Sequence, residues 1–139
     1  PRESETKFAD LALLTLIYPF AVATEEETEE ILRNVEYHLV RDKGVIRYKL
    51  DRYYNENDDG YSEEAEWCFG LSWLAIIYAQ LGEKEKAMDY LIRAKETVTP
   101  EGLVPELYMS HTNNPNDNTP LGWAESMYVI ALKKVSELA

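Results

Sequence analysis

Apolar residues in this chain fall into segments of two kinds that alternate. Residues 5–17 carry Phe8, Ala9, Leu11, Ala12, Leu13, Leu14, Leu16 and Ile17, which run round the whole circumference of a helix. Pro19 ends that segment. From Thr24 to about Val40, Ile31, Leu32, Val35 and Leu39 instead form a single stripe opposite a charged face, so this helix has one wet side. Thr24 with Glu27 is a capping box, and Glu25 and Glu26 suit the positive end of the helix dipole. Residues 44–48 read as extended, and residues 55–60 as a polar turn region. Ser62 is the predicted N-cap of a third helix ending at Gly82, a residue free to take the left-handed C′ conformation. Trp67, Phe69, Leu71, Trp73, Leu74, Ile76, Ile77, Tyr78 and Leu81 cover most of its circumference, so it should be buried. Residues 83–97 are striped again, with Ala87, Leu91, Ala94 and Val98 facing inward. The last helix, residues 121–138, is apolar almost all round until Lys133.

The prediction is therefore an all-α chain of about five helices, buried ones alternating with half-exposed ones. A helical solenoid and a double-layered α/α barrel both produce that pattern. A lone five-helix cluster has little room for three helices that lack a wet face. The chain should belong to a larger barrel or be covered by a partner.

Composition narrows the function classes. The 139 residues suit one compact domain, 1–139, and the hydrophobic share of 45% excludes a disordered chain. Ten tyrosines and three tryptophans suit core packing, and equally stacking against sugar rings. A net charge of −12 repels phosphate backbones, so nucleic acid is not an expected partner. No stretch has the length of a membrane span, so no membrane partner is expected either. The absence of a signal-like start and the lone Cys68 lean to the cytoplasm, although a chain opening on Pro1 fits one processed or cut from something longer. His38 and His111 have no partners at metal-ligand spacing, so a zinc site is not expected.

The candidate chemistry sits in residues 102–108. Pro105 forbids helix just before it, and Glu106 follows among apolar and aromatic neighbours. An asparagine-rich loop then leads to Pro120, Leu121, Gly122 and Trp123. A glutamate so placed can serve as a catalytic base, because packing fixes its position. An ordinary surface glutamate in a helix-helix loop fits the segment too.

Two resemblances follow. Ala75, Tyr78, Gly82, Ala87, Leu91 and Ala94 match the spacing of a tetratricopeptide repeat, but the pattern does not recur one repeat length away, near Arg41 or Met109. The other resemblance covers most of the chain in order. Ile46, Arg47 and Tyr48, then Asp51, Tyr53, Tyr54 and Asn55, resemble an Arg-Tyr…Asp…Tyr segment. Glu66-Trp67 resembles an inner-helix start, residues 102–106 a Leu-Pro-Glu loop that carries a catalytic base, and residues 120–124 a Pro-Leu-x-Trp-Ala helix opening. Together they look like the glucoamylase-like glycoside hydrolases of family 15, whose (α/α)6 six-hairpin barrel has six inner and six outer helices.

What that resemblance implies is specific. The chain would be the C-terminal part of the barrel, with the N-terminal half or an oligomer partner completing it. The whole protein would hydrolyse α-linked glucose oligosaccharides or a starch-like glucan with inversion, needing no cofactor or metal. Glu106 would be the general base. Arg47, Asp51, Trp67, Trp123 and Tyr108 would bind substrate. Arg47 could instead pair with Asp51 or with the acidic run Asp58, Asp59, Glu63 and Glu64, and the tryptophans could be core residues; the sequence leaves these open. Trp73 reads as core. Leu107 stands where the family usually has a glutamine that helps hold the water, and the general acid falls outside this chain, since Glu56 and Asp58 lie too near Arg47. The chain alone should be inactive. The alternative is a helical protein-binding scaffold, tetratricopeptide-like or a catalytically inactive α/α barrel.

Overall fold

A computed structural model describes residues 9–53, 55 and 63–138. A 3-10 helix over Leu11–Leu16 comes first. It is followed by α1 (Glu25–His38), β1 (Glu66–Trp67), α2 (Phe69–Gln80), α3 (Lys84–Glu96), β2 (Leu107–Tyr108) and α4 (Gly122–Ser136). The alternation predicted for the middle of the chain is present, with the fully buried α2 between the striped α1 and α3. Every residue of α2 from Phe69 to Ala79 is buried, and the helix packs against both α3 and α4. Its end is a Schellman turn. Gly82 takes φ +77°, the Gly82 N–H donates to the Ala79 carbonyl at 3.2 Å, and the Glu83 N–H donates to that of Tyr78 at 2.9 Å.

The striped helices behave as their pattern demands. In α1 the capping box forms, with the Glu27 N–H donating to Thr24 Oγ1 at 3.2 Å and the Thr24 N–H to Glu27 Oε2 at 2.8 Å. Ile31, Leu32 and Val35 go inward. In α3, Ala87 and Ala94 are buried, and so is Tyr90, which the stripe did not include. The Tyr90 ring stacks on Tyr78 at 5.8 Å and its hydroxyl donates to Glu36 at 3.0 Å, which ties α3 to α1.

Three expectations change. The first helix is a six-residue 3-10 turn, with Leu11 and Leu14 buried but Ala12 exposed, rather than a longer helix buried all round; residues 5–8 and the capping Ser62 lie outside the described residues. The third helix starts at Phe69, because Glu66 and Trp67 are a strand. Its backbone is claimed from both sides, by Val45 (N–H to carbonyl at 3.0 and 3.2 Å) and by β2. The close approach needs glycine at two points. A Cβ on Gly44 would lie 2.5 Å from the Trp67 carbonyl oxygen, and one on Gly70 would lie 2.5 Å from Val45 Cγ2. Lastly, α4 buries Ala124, Met127, Ala131 and Val135 but leaves Trp123, Val129 and Leu132 exposed, so it is not buried all round. No helix of the described residues is long and apolar enough to cross a membrane.

Candidate active site

A small ribbon gathers the residues singled out above. Val45 lies beside β1, β1 pairs antiparallel with β2, and Tyr108 of β2 bridges on to Pro115. The ribbon runs straight into the N-terminal end of α2. It is also tied to the start of α4, since the Glu106 N–H donates to the Asn118 carbonyl at 3.1 Å and the Leu121 N–H to that of Val104 at 3.1 Å. The Val104 N–H donates to Glu125 Oε1 at 3.0 Å. Trp67, Glu106 and Trp123 therefore share one end of the two inner helices.

Glu106 is half-buried in this frame. Its Oε2 accepts from Asn116 Nδ2 at 2.6 Å and from Asn118 Nδ2 at 2.7 Å. Asn116 is buried and Asn118 exposed. Both asparagines come from the polar loop, which the sequence flagged only as asparagine-rich.

Beside this lies a charged cluster under an aromatic wall. Arg47 Nε donates to Glu64, its Nη2 lies 3.5 Å from Asp51 Oδ2, and its guanidinium sits over the rings of Tyr48, Tyr53 and Trp67. Burial works against ionisation of Asp51, but hydrogen bonds from the Tyr48 hydroxyl and from the backbone N–H groups of Arg52 and Tyr53 outweigh it and hold its carboxyl below the usual range. Glu64 is fully buried and also accepts from Trp67 Nε1 at 2.8 Å, so one carboxylate holds both Arg47 and Trp67. The alternative reading of Arg47, as a partner of Asp51 or of the acidic run, is what these contacts show, with Glu64 the member of the run that pairs; its full burial at a loop end leaves no mark in the hydrophobic pattern. From Trp67, aromatic rings continue through Phe69 (6.0 Å) to Trp123, which stacks on Phe69 at 4.2 Å. Trp123 is half-exposed, whereas Trp67 is nearly buried and its N–H is occupied. Trp73 is core, as expected, with its N–H donating to the Tyr18 carbonyl at 3.0 Å.

Tyr108 belongs elsewhere. Facing residues of an antiparallel pair share a face, so Tyr108 goes with Glu66, and Leu107 with Trp67. The Tyr108 hydroxyl donates to the Thr97 carbonyl at 2.9 Å, anchoring the ribbon to the end of α3 rather than joining Arg47 and Trp67. Leu107 is fully buried. Cys68 is buried too, its thiol pushed up to about 12 by burial, which leaves it no nucleophile. Among the described residues, no group of His, Cys, Asp and Glu could hold a metal ion.

Glu66 gives a pH prediction. Burial raises its pKa from 4.5, with Asp42 adding to the shift. The folded state then holds the proton more tightly than the unfolded state. Stability should fall as pH rises from 4.5 through the raised value. Glu66→Gln should therefore raise the melting temperature at pH 7 and change it little at pH 4, as scanning calorimetry at the two pH values would show.

No family model matches the chain. It is 29% identical to trehalase 1 of Sulfolobus acidocaldarius over 141 residues, covering 99% of this chain and 24% of the trehalase. It is 26% identical to an uncharacterised glycosyl hydrolase of Methanocaldococcus jannaschii, covering 89% of this chain and 21% of that protein. A third relative is a probable phosphorylase b kinase regulatory subunit alpha of Caenorhabditis elegans, 31% identical, with 94% of this chain matching 13% of the subunit. The chain thus spans a quarter or less of these relatives. Among solved structures it superposes on a glycosidase with a TM-score of 0.77 at 22% identity, covering 94% of this chain and 36% of the glycosidase. A glycosidase variant in complex with glucose superposes equally well, at 21% identity. The fold is that of part of an α/α-barrel glycosidase.

Proposed function

We propose that this chain is part of an inverting glycoside hydrolase of the glucoamylase-like type, acting on α-linked glucose oligosaccharides, and that it supplies the general base, Glu106. The observation that carries the reading is a carboxylate fixed through one oxygen by Asn116 and Asn118, at the end of the fold where Arg47, Trp67 and Trp123 gather. In such a reaction Glu106 takes a proton from water as the water attacks the anomeric carbon. An acid outside this chain, about 6.5–9.5 Å across the cleft, protonates the leaving oxygen. The exposed side of Trp123, backed by the buried Phe69, suits the apolar face of a sugar ring, and the Arg47 donors not turned to Glu64 suit its hydroxyls. That a glycosidase of this fold occurs in complex with glucose supports a carbohydrate ligand.

The test uses the full-length protein with trehalose, maltose, isomaltose and soluble starch, following the released sugar by proton NMR. The expected result is β-glucose appearing first from an α-linkage. Release of α-glucose first, or no hydrolysis of any of the four, overturns the reading. The 139-residue chain alone should release none. Two observations favour a second reading, a catalytically inactive barrel serving as a protein-binding scaffold. Leu107 is apolar where a water-holding side chain is usual, and one relative is a regulatory subunit.

A further inference from the structure

We infer that Asn116 and Asn118 are positioning residues for the base, clamping Oε2 of Glu106 and leaving Oε1 as the oxygen that receives the proton. This rests on the reading of Glu106 as the base. Both contacts, at 2.6 and 2.7 Å, are short for N–H···O bonds, as donors to a charged acceptor are. Both fall on Oε2; among the described residues nothing bonds to Oε1.

The orientation of Asn116 is informative. The residue is 7% exposed, and its Oδ1 is buried without a partner among the described residues. Turning the amide over would set Oδ1 against the carboxylate, acceptor to acceptor, and would orphan the NH2 group in its place. The fold tolerates an unsatisfied buried acceptor, which is costly, in order to keep a donor on Glu106. A surface glutamate with incidental neighbours offers no reason for that arrangement. Backbone register delivers the pair. The Asn116 N–H donates to the Leu107 carbonyl at 3.2 Å, and the Asn118 carbonyl accepts from the Glu106 N–H at 3.1 Å, so backbone bonds on either side of the bend at Asp117 hold both asparagines against the Glu106 segment. Asp117, between them, is exposed. Leu107 packs away in the core, so polar contact with the base comes from across the hairpin instead of from the next residue.

The experiment measures kcat and KM of full-length Asn116→Asp, Asn118→Asp and Asn118→Ala beside Glu106→Gln, on whichever of the four sugars is hydrolysed. Asn116→Asp keeps the shape of the side chain and removes the donor. A carboxylate free to swing should cost about 10–100-fold in kcat with KM held within about twofold. Asn118 is exposed, so its variants fold even where Asn116→Asp does not, and they should shift kcat in the same direction. Unchanged kcat in the asparagine variants with an inactive Glu106→Gln overturns this inference and leaves the base assignment standing. A rise in KM at constant kcat overturns it too, because the asparagines would then be binding groups. An active Glu106→Gln overturns both.

Discussion

Glu106→Gln in the full-length protein should lower kcat by about 10²–10⁴-fold, the usual contribution of a positioned general base, with little change in KM. Glutamine matches glutamate in shape, and its side-chain carbonyl can still accept from Asn116 and Asn118, so the loop has no cause to move. What is lost is proton uptake alone. The expected split, kcat down and KM level, separates this from damage to the aromatic wall. Trp123→Ala would instead remove a ring stacked on Phe69 at 4.2 Å and should raise KM. Unfolding curves for native and variant should coincide, since Glu106 is only half-buried. A Glu106→Gln protein that turns over at the native rate would remove Glu106 from the chemistry.

Much of the fold was legible because helices with different surroundings write different patterns. The run of apolar residues in α2 and the single stripe in α1 are direct consequences of burial on all sides or on one, and the capping box and Gly82 marked ends that the structure places within a residue or two. The ribbon was not legible. Glu66-Trp67 stands where an acidic stretch meets the apolar run of α2, a junction that periodicity cannot divide between strand and helix, and the partners of Trp67, Val45 and Leu107, lie 22 and 40 residues away. The site was half legible for the same reason. Arg47, Asp51, Trp67, Glu106 and Trp123 were chosen as types in order along the chain, and the structure brings them to one end of the inner helices. Asn116 and Asn118 leave no such mark, because each acts through a contact made by the ribbon, and Glu64 is legible only as one of the four residues of the acidic run able to pair with Arg47. Tyr108 stands near Glu106 in sequence, but in the ribbon it pairs with Glu66, on the face opposite Leu107 and Trp67, and its hydroxyl bonds to the Thr97 carbonyl.

Glu64→Ala should be among the most destabilising single changes in the described residues. Its carboxylate has no exposed surface, and one oxygen serves both Arg47 Nε and Trp67 Nε1. Removing one partner of a buried charged pair costs about 3–5 kcal/mol. Here the lower end applies, because the Arg47 side chain is 33% exposed and keeps Asp51 at 3.5 Å, so the abandoned guanidinium can reach water and a second carboxylate. Glu64→Gln should cost less, since its carbonyl oxygen can still accept from Trp67. The other oxygen of Glu64 is already buried without a partner, which means the native pair does not satisfy all the groups it buries. Replacing the ion pair, Glu64→Leu with Arg47→Met, should recover part of the stability lost by Glu64→Ala, as apolar pairs of similar volume do, while the Trp67 N–H left without its acceptor keeps the recovery incomplete. Urea unfolding of the three variants measures this. If the double variant is more stable than Glu64→Ala, the ion pair is not itself needed for the ribbon to fold; if it is no more stable, the pair is a structural requirement of the ribbon.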